Sequence, residues 1–189
     1  MKTLTRLVPM LALLGCAACG NVEETAEEPS PITWAECSQT VGDHPCDFTL
    51  KDQNGNDWTL YESYGDVILL DFSTEWCGYC NLSAESIQGI ADAYEEHGVT
   101  VVTVLLEDGY GNPGSVDLAA SWADRYGIDA PVLAGSRDMI SDDPTLGWPI
   151  TGFPRYYFIN REMVLWHGQA GYNDDSLEAV LRAMLNIEG

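Results

Sequence analysis

Val67-Ile68-Leu69-Leu70-Asp71-Phe72-Ser73-Thr74-Glu75-Trp76-Cys77-Gly78-Tyr79-Cys80 is the stretch on which the reading of this chain turns. From Val67 to Phe72 it is a nearly continuous apolar run, the pattern of a central parallel strand covered on both faces. Its end carries two cysteines separated by two residues. Ser83, Ile87, Ile90, Ala91 and Tyr94 then follow at approximate helical spacing, and Gly98 takes a favoured position just past a helix end. The cysteines therefore stand where a buried strand passes into a long helix. At the helix start, Cys77 meets unpaired N–H groups and the positive end of the helix dipole, which stabilise a thiolate, and it is the expected nucleophile. Cys80, one turn further in and more covered, is expected to attack the mixed disulfide on Cys77 and release the reduced partner. A zinc site would need a second ligand pair, and neither another Cys-x-x-Cys nor a His-x-x-x-His occurs. A copper site drawing on His167 and a purely structural disulfide are the other readings of the pair.

Outward from this junction, the punctuation describes an alternation of strands and helices. Asp47 to Leu50 and Asp57 to Leu60 flank Gln53-Asn54-Gly55-Asn56, an Asn-Gly turn and so a hairpin signal. A calcium loop on Asp52, Asn54 and Asn56 is the weaker alternative. It would have Asp57 where the sharp-turn glycine belongs and Ser63 where the bidentate glutamate belongs. Val99 to Leu106 is a second buried strand. Ser115 is placed to cap a helix that presents Leu118, Trp122 and Tyr126 on one side and stops at Gly127. Arg155 to Asn160 and Met163 to His167 read as closing strands. Asp175 and Glu178 form a capping-box pattern before Leu177, Val180, Leu181, Met184 and Leu185, which mark the last helix. The expectation is an α/β fold, a three-layer sandwich with a central mixed sheet and helices on both faces.

The 189 residues suit one ordinary domain, here placed at 34–189. Eight Lys and Arg stand against 30 Asp and Glu, a net charge of −22, which repels phosphate backbones and anionic lipid headgroups and favours cationic partners. Nucleic acid is excluded as a partner on that ground. Lys2 and Arg6 precede an apolar run from Leu7 to Ala18 that is too short to span a bilayer, the layout of an export signal. The run ends in Leu13-Leu14-Gly15-Cys16, which resembles the bacterial lipobox. The resemblance implies a signal peptide at 1–15, a lipid on Cys16 and a domain exported to the periplasm or cell exterior. An ordinary signal peptide cut near Ala18 is the alternative. Residues 16–33 contain GNVEETAEEPSP and read as an acidic flexible tether.

The segment from Val67 to Cys80 resembles the active-site strand and helix start of the thioredoxin superfamily. Gly42-Asp43, Phe48-Thr49-Leu50, Asp52 and Gly55 resemble the opening of its TlpA-like (redoxin) branch of membrane-tethered thiol-disulfide oxidoreductases. Thr151-Gly152-Phe153-Pro154 resembles that branch's cis-proline loop. The likeness runs over about residues 41 to 187 and implies a thioredoxin-like sandwich that exchanges disulfides with protein thiols, with no cofactor and no metal. It also implies a membrane electron-transfer partner. By the same resemblance Asp71, six residues before Cys77, is the buried acid that moves protons to and from Cys80, and burial should raise its pKa. Trp76, Gly78, Tyr79, Phe153, Pro154 and Arg155 become the candidate substrate surface, with Pro154 cis. The chain departs from the branch in carrying Phe153 and Arg155 beside the proline; Arg155 is a candidate for lowering the thiolate pKa or orienting a carboxylate.

Thr74-x-x-Cys77 also resembles the peroxidatic motif of peroxiredoxins, although that motif's proline would fall at Leu70, so a peroxidase is one alternative. A lipid-anchored, non-catalytic binding or scaffold domain is another. Cys37 and Cys46 flank a short loop in an exported chain and are expected to form a structural disulfide; a second redox pair is the sharper reading. Cys19 is left without a partner in this scheme.

Overall fold

The computed structural model of the chain describes residues 31–187. The expected signal segment and lipid site at Cys16, together with Cys19, lie outside the described residues.

The apolar run becomes β3, Val67–Ser73, which is buried at every position and lies at the centre of a five-stranded sheet. It pairs in parallel with β4, Val99–Leu105, placing Asp71 opposite Thr103. On its other side it pairs antiparallel with β6, Arg155–Ile159, placing Asp71 opposite Tyr156. The short strand β5, Val132–Ala134, extends the parallel side. β7, Leu165–Ala170, closes the antiparallel side, giving the order β5-β4-β3-β6-β7. The Asn-Gly signal is a separate hairpin of β1, Thr49–Lys51, and β2, Asp57–Thr59. At its turn the Asp52 carboxylate accepts the N–H groups of Asn54 and Asn56, and Gly55 takes a φ of 80°.

Three α-helices accompany the sheet: α1, Gly78–Tyr94; α2, Val116–Tyr126; and α3, Asp174–Leu185. All three contribute to one core cluster with Val67, Leu69, Val101, Tyr156 and Phe158. The reason is topological. The chain crosses from β3 to β4 to β5 in one direction, so right-handed connections put α1 and α2 on the same face. The opposite cluster, with Ile68, Leu70, Phe72, Val102 and Tyr157, is covered differently. Leu60 of a 3-10 turn, Trp148 and Ile150 of the loop before β6, and flanking aromatics of the hairpin region complete it. All three α-helices thus form one layer on the sheet, and hairpin, loop and 3-10 turns form the other.

Two boundaries differ from the expected ones. Asn173, not Asp175, caps α3 by accepting the Ser176 N–H, and Glu178 instead takes the Tyr94 hydroxyl and Arg182. β7 starts at Leu165 because Met163 turns the chain at φ 56° with its side chain fully buried. Cys37 and Cys46 are disulfide-bonded with Cα atoms 4.8 Å apart. Their loop is stitched to the rest through Gln39 N–H to Pro144 O at 2.7 Å and Leu165 N–H to Asp43 O at 2.9 Å. Among the described residues no helix is long and apolar enough to cross a membrane.

Candidate active site

Cys77 caps α1 from an extended conformation, and its sulfur accepts the Cys80 N–H at 3.2 Å. A sulfur at this position sits against the unpaired donors and the positive end of a 17-residue helix. Cys77 and Cys80 are disulfide-bonded with Cα atoms 5.2 Å apart. Cys77 is 7% exposed and Cys80 is 0% exposed, so only the first can be met from outside.

Side chains alternate along β3. Val67 and Leu69 pack in the cluster that holds Cys80 and Ala84, and Asp71 and Ser73 continue that face. Asp71 is 1% exposed and accepts the Ser73 hydroxyl at 2.7 Å. Burial dominates its titration and pushes it up to about 7, against the opposing pull of hydrogen bonds from Ser73 and Thr103. Tyr156, facing it from β6, shares a 2.6 Å hydrogen bond with Ser83 of α1. Its phenol is pushed well above the ordinary tyrosine range, first by burial and then by Asp71.

The rim is aromatic. Trp76 and Tyr79 are exposed, and Phe153 meets the Trp76 ring edge-on at 5.8 Å. The Phe153–Pro154 peptide is cis, as the resemblance implied. Gly78 lies in the first turn of α1 with open space where a Cβ would go. The structure thus brings together Cys77, Cys80, Asp71, Trp76, Phe153 and Pro154. Arg155 lies elsewhere. It shares with Tyr157 the face opposite Asp71, its guanidinium 4.8 Å from the Tyr157 ring centroid, because alternation along β6 turns it away from Tyr156. The cation beside the rim is Arg137, 5.7 Å from the Phe153 ring.

Arg137 belongs to a part of the site that the sequence did not reveal. Glu107, just after β4, accepts the Trp76 indole N–H at 2.9 Å and is held by both Nε and Nη2 of Arg137. These hydrogen bonds keep the Glu107 carboxyl below the usual range. One carboxylate therefore links the segment before Cys77 to the cation that covers Phe153. Glu75 is tied in the same way, to Arg125 of α2 and to the Gly109 N–H. Asn81 donates to the carbonyls of Glu75 and Cys77 and accepts the Tyr126 hydroxyl. The motif loop is consequently braced from α2 and from the loop after β4. No signal in the sequence pairs residues so far apart. Among the described residues no group of three or more His, Cys, Asp or Glu side chains could hold a metal ion.

Residues 41–167 match the AhpC/TSA family. The chain belongs to that family. Thiol-disulfide oxidoreductase ResA of Geobacillus kaustophilus is 25% identical over 108 residues, 57% of this chain and 58% of that protein. The ResA of Geobacillus thermodenitrificans is 26% identical over 143 residues, covering 74% and 71%. This AhpC/TSA member thus matches little more than half the length of the first of these relatives. The fold is shared with the thioredoxin domain of a thiol-disulfide oxidoreductase from Bacteroides vulgatus, at TM-score 0.61, 17% identity, 79% of this chain and 99% of the other. It is shared also with a secreted Mycobacterium tuberculosis disulfide oxidoreductase, at TM-score 0.56, 22% identity, 72% and 95%. Within the AhpC/TSA family the chain has the thioredoxin-like fold and stands in the TlpA-like branch.

Proposed function

We propose that the protein is an extracytoplasmic thiol-disulfide oxidoreductase that exchanges disulfides with protein substrates through Cys77 and Cys80. In this reading a lipid on Cys16 holds it at a bacterial membrane, and a membrane partner exchanges electrons with it. The observation that carries the reading is the Cys77–Cys80 disulfide at the first turn of α1, on the face of the sheet that also buries Asp71. The names of the ResA relatives support the same activity.

In the reducing direction the Cys77 thiolate attacks one sulfur of a substrate disulfide, forming a mixed disulfide and expelling the first substrate thiolate. Cys80 then gives its proton to the Asp71 carboxylate. The Cys80 thiolate attacks the Cys77 sulfur, the Cys77–Cys80 bond forms, and the second substrate thiolate leaves and takes up a proton. The substrate gains two electrons and the cysteine pair loses two. Run backwards, the same steps oxidise a substrate dithiol. Trp76, Tyr79, Phe153 and Pro154 form the surface on which the substrate chain rests, and Cys37–Cys46 is structural. A peroxidase is the less favoured reading, because Cys77 already has a bonded partner one turn away.

Cys80→Ser separates the readings. An oxidoreductase accumulates a mixed disulfide on Cys77 with a protein substrate, seen as a mass adduct released by dithiothreitol. A scaffold forms none, and a peroxidase instead consumes hydroperoxide in a Cys77-dependent assay.

A further inference from the structure

Asp71 faces neutral groups. Ser73 from its own strand donates to it at 2.7 Å, and Thr103 stands directly opposite on β4 with its side chain also in hydrogen-bond contact. From β6 comes Tyr156, opposite Asp71 and with its hydroxyl already engaged by Ser83 of α1; Cys80 packs in the core cluster on the same side of the sheet as Tyr156. The residues of α3 in this cluster, Leu177 and Leu181, are apolar. The charged Asp174 acts on Tyr156 and is not among the groups that shift Asp71. Ser73, Asp71 and Thr103 are 0%, 1% and 2% exposed, so these groups lie within the core, out of contact with bulk solvent. A serine hydroxyl buried on a strand whose only other polar side chain is Asp71 carries a desolvation cost, which the Asp71 carboxylate offsets by accepting from it.

We propose that Ser73, assisted by Thr103, is a positioning residue for the resolving step, its hydroxyl holding Asp71 in the proton-accepting carboxylate form on the face of the sheet that also buries Cys80. The inference rests on the reading of Asp71 as proton acceptor. A hydroxyl can donate to a carboxylate but gains less from a neutral acid, so each donor shifts the balance towards the ionised form. Burial shifts it the other way. Among the described residues no cation acts on the carboxyl, so these donors oppose burial and set the pH range in which the proton can move from Cys80 to Asp71.

The test follows the Asp71 carboxyl by infrared difference spectroscopy across a pH titration of the reduced full chain, with Asp71→Asn assigning the band. The rate of the resolving step is measured over the same pH range. Ser73→Ala is expected to raise the midpoint by about one pH unit, a tenfold change in proton affinity, and to move the rising limb of the rate profile upward by the same amount. Ser73→Thr, which keeps the hydroxyl, should hold the wild-type midpoint. Thr103→Val should give a smaller rise and serves as the second variant if Ser73→Ala fails to fold. A midpoint that stays in place in folded Ser73→Ala or, if that variant does not fold, in Thr103→Val overturns the proposal. A Ser73→Thr shift as large as that of Ser73→Ala also overturns it. The proton-acceptor reading fails separately, if Asp71→Asn leaves the rate limb where the wild type has it.

Discussion

Asp71 holds its proton up to about 7 in the folded chain, against an ordinary value of 3.8, because burial outweighs the hydroxyls that donate to it. Between those values the native state keeps a proton that the unfolded chain has lost. Stability therefore falls as pH rises from about 4 to about 7 and levels off above that. The whole interval corresponds to about 4 kcal/mol, the upper bound of what ionising this one carboxyl withdraws from the fold. Asp71→Asn is accordingly expected to raise the melting temperature at about pH 8 and to change it little at about pH 4, while slowing the resolving step near neutrality. Thermal melts at the two pH values check the first half; single-turnover release of a substrate thiol checks the second. If Asp71→Asn melts lower at both pH values, the carboxyl serves packing and not proton transfer.

Among elements, the joint that matters is the one between the motif loop, the end of β4 and the 3-10 turn Arg137–Met139, all meeting at Glu107. Glu107→Gln leaves Arg137 without a carboxylate. Arg137 is half exposed, so the loss should be modest, about 1 kcal/mol by urea denaturation. The effect expected on function is selective: slower exchange with a polypeptide disulfide, which needs the Trp76 and Phe153 walls, and unchanged exchange with dithiothreitol, which does not. Equal losses on both substrates would contradict this role. Removing the Cys37–Cys46 bridge by a double serine substitution should cost about 2.5 to 3 kcal/mol in the chain-entropy model and leave the Cys77–Cys80 exchange rate intact.

What the sequence disclosed at this scale was local. The apolar run, the following helix and the Asn-Gly turn are each written within about twenty residues, and each formed where expected. Asp71 could be placed six residues before Cys77, but not opposite Thr103 and Tyr156, because strand register depends on partners distant in the chain. Glu107 and Arg137 were invisible for the same reason. Arg155 was assigned to the cleft by its nearness to Pro154 in sequence, while alternation along β6 turned it to the other face. The three-residue β5 carried too little pattern to be seen, and with it went the fact that α2 shares a face with α1.

Over the described residues as a whole, charge is the dominant feature. Lys51, Arg125, Arg137 and Arg182 are each paired with an acid. Arg161 bonds the carbonyls of Gly65 and His97, and Arg155 lies over Tyr157. These cations leave most of the acids among the described residues without a salt bridge. The resulting field should speed encounter with cationic substrates, and kcat/KM for a lysine-rich peptide disulfide should fall as ionic strength rises from about 0.01 to about 0.5 M. A neutral peptide of the same length should show no such fall. Equal salt dependence for the two would remove electrostatic steering from the account.

The central claim is that Cys77 and Cys80 form a couple that cycles between disulfide and dithiol, while Cys37 and Cys46 stay joined. Its most direct test is a redox titration of the purified protein against defined thiol buffers, read by alkylation and mass at each cysteine. The account predicts a two-electron transition of the Cys77–Cys80 pair between about −120 and −270 mV, with Cys37–Cys46 remaining oxidised throughout. A Cys77–Cys80 bond that resists reduction below about −300 mV, as structural disulfides do, would contradict it.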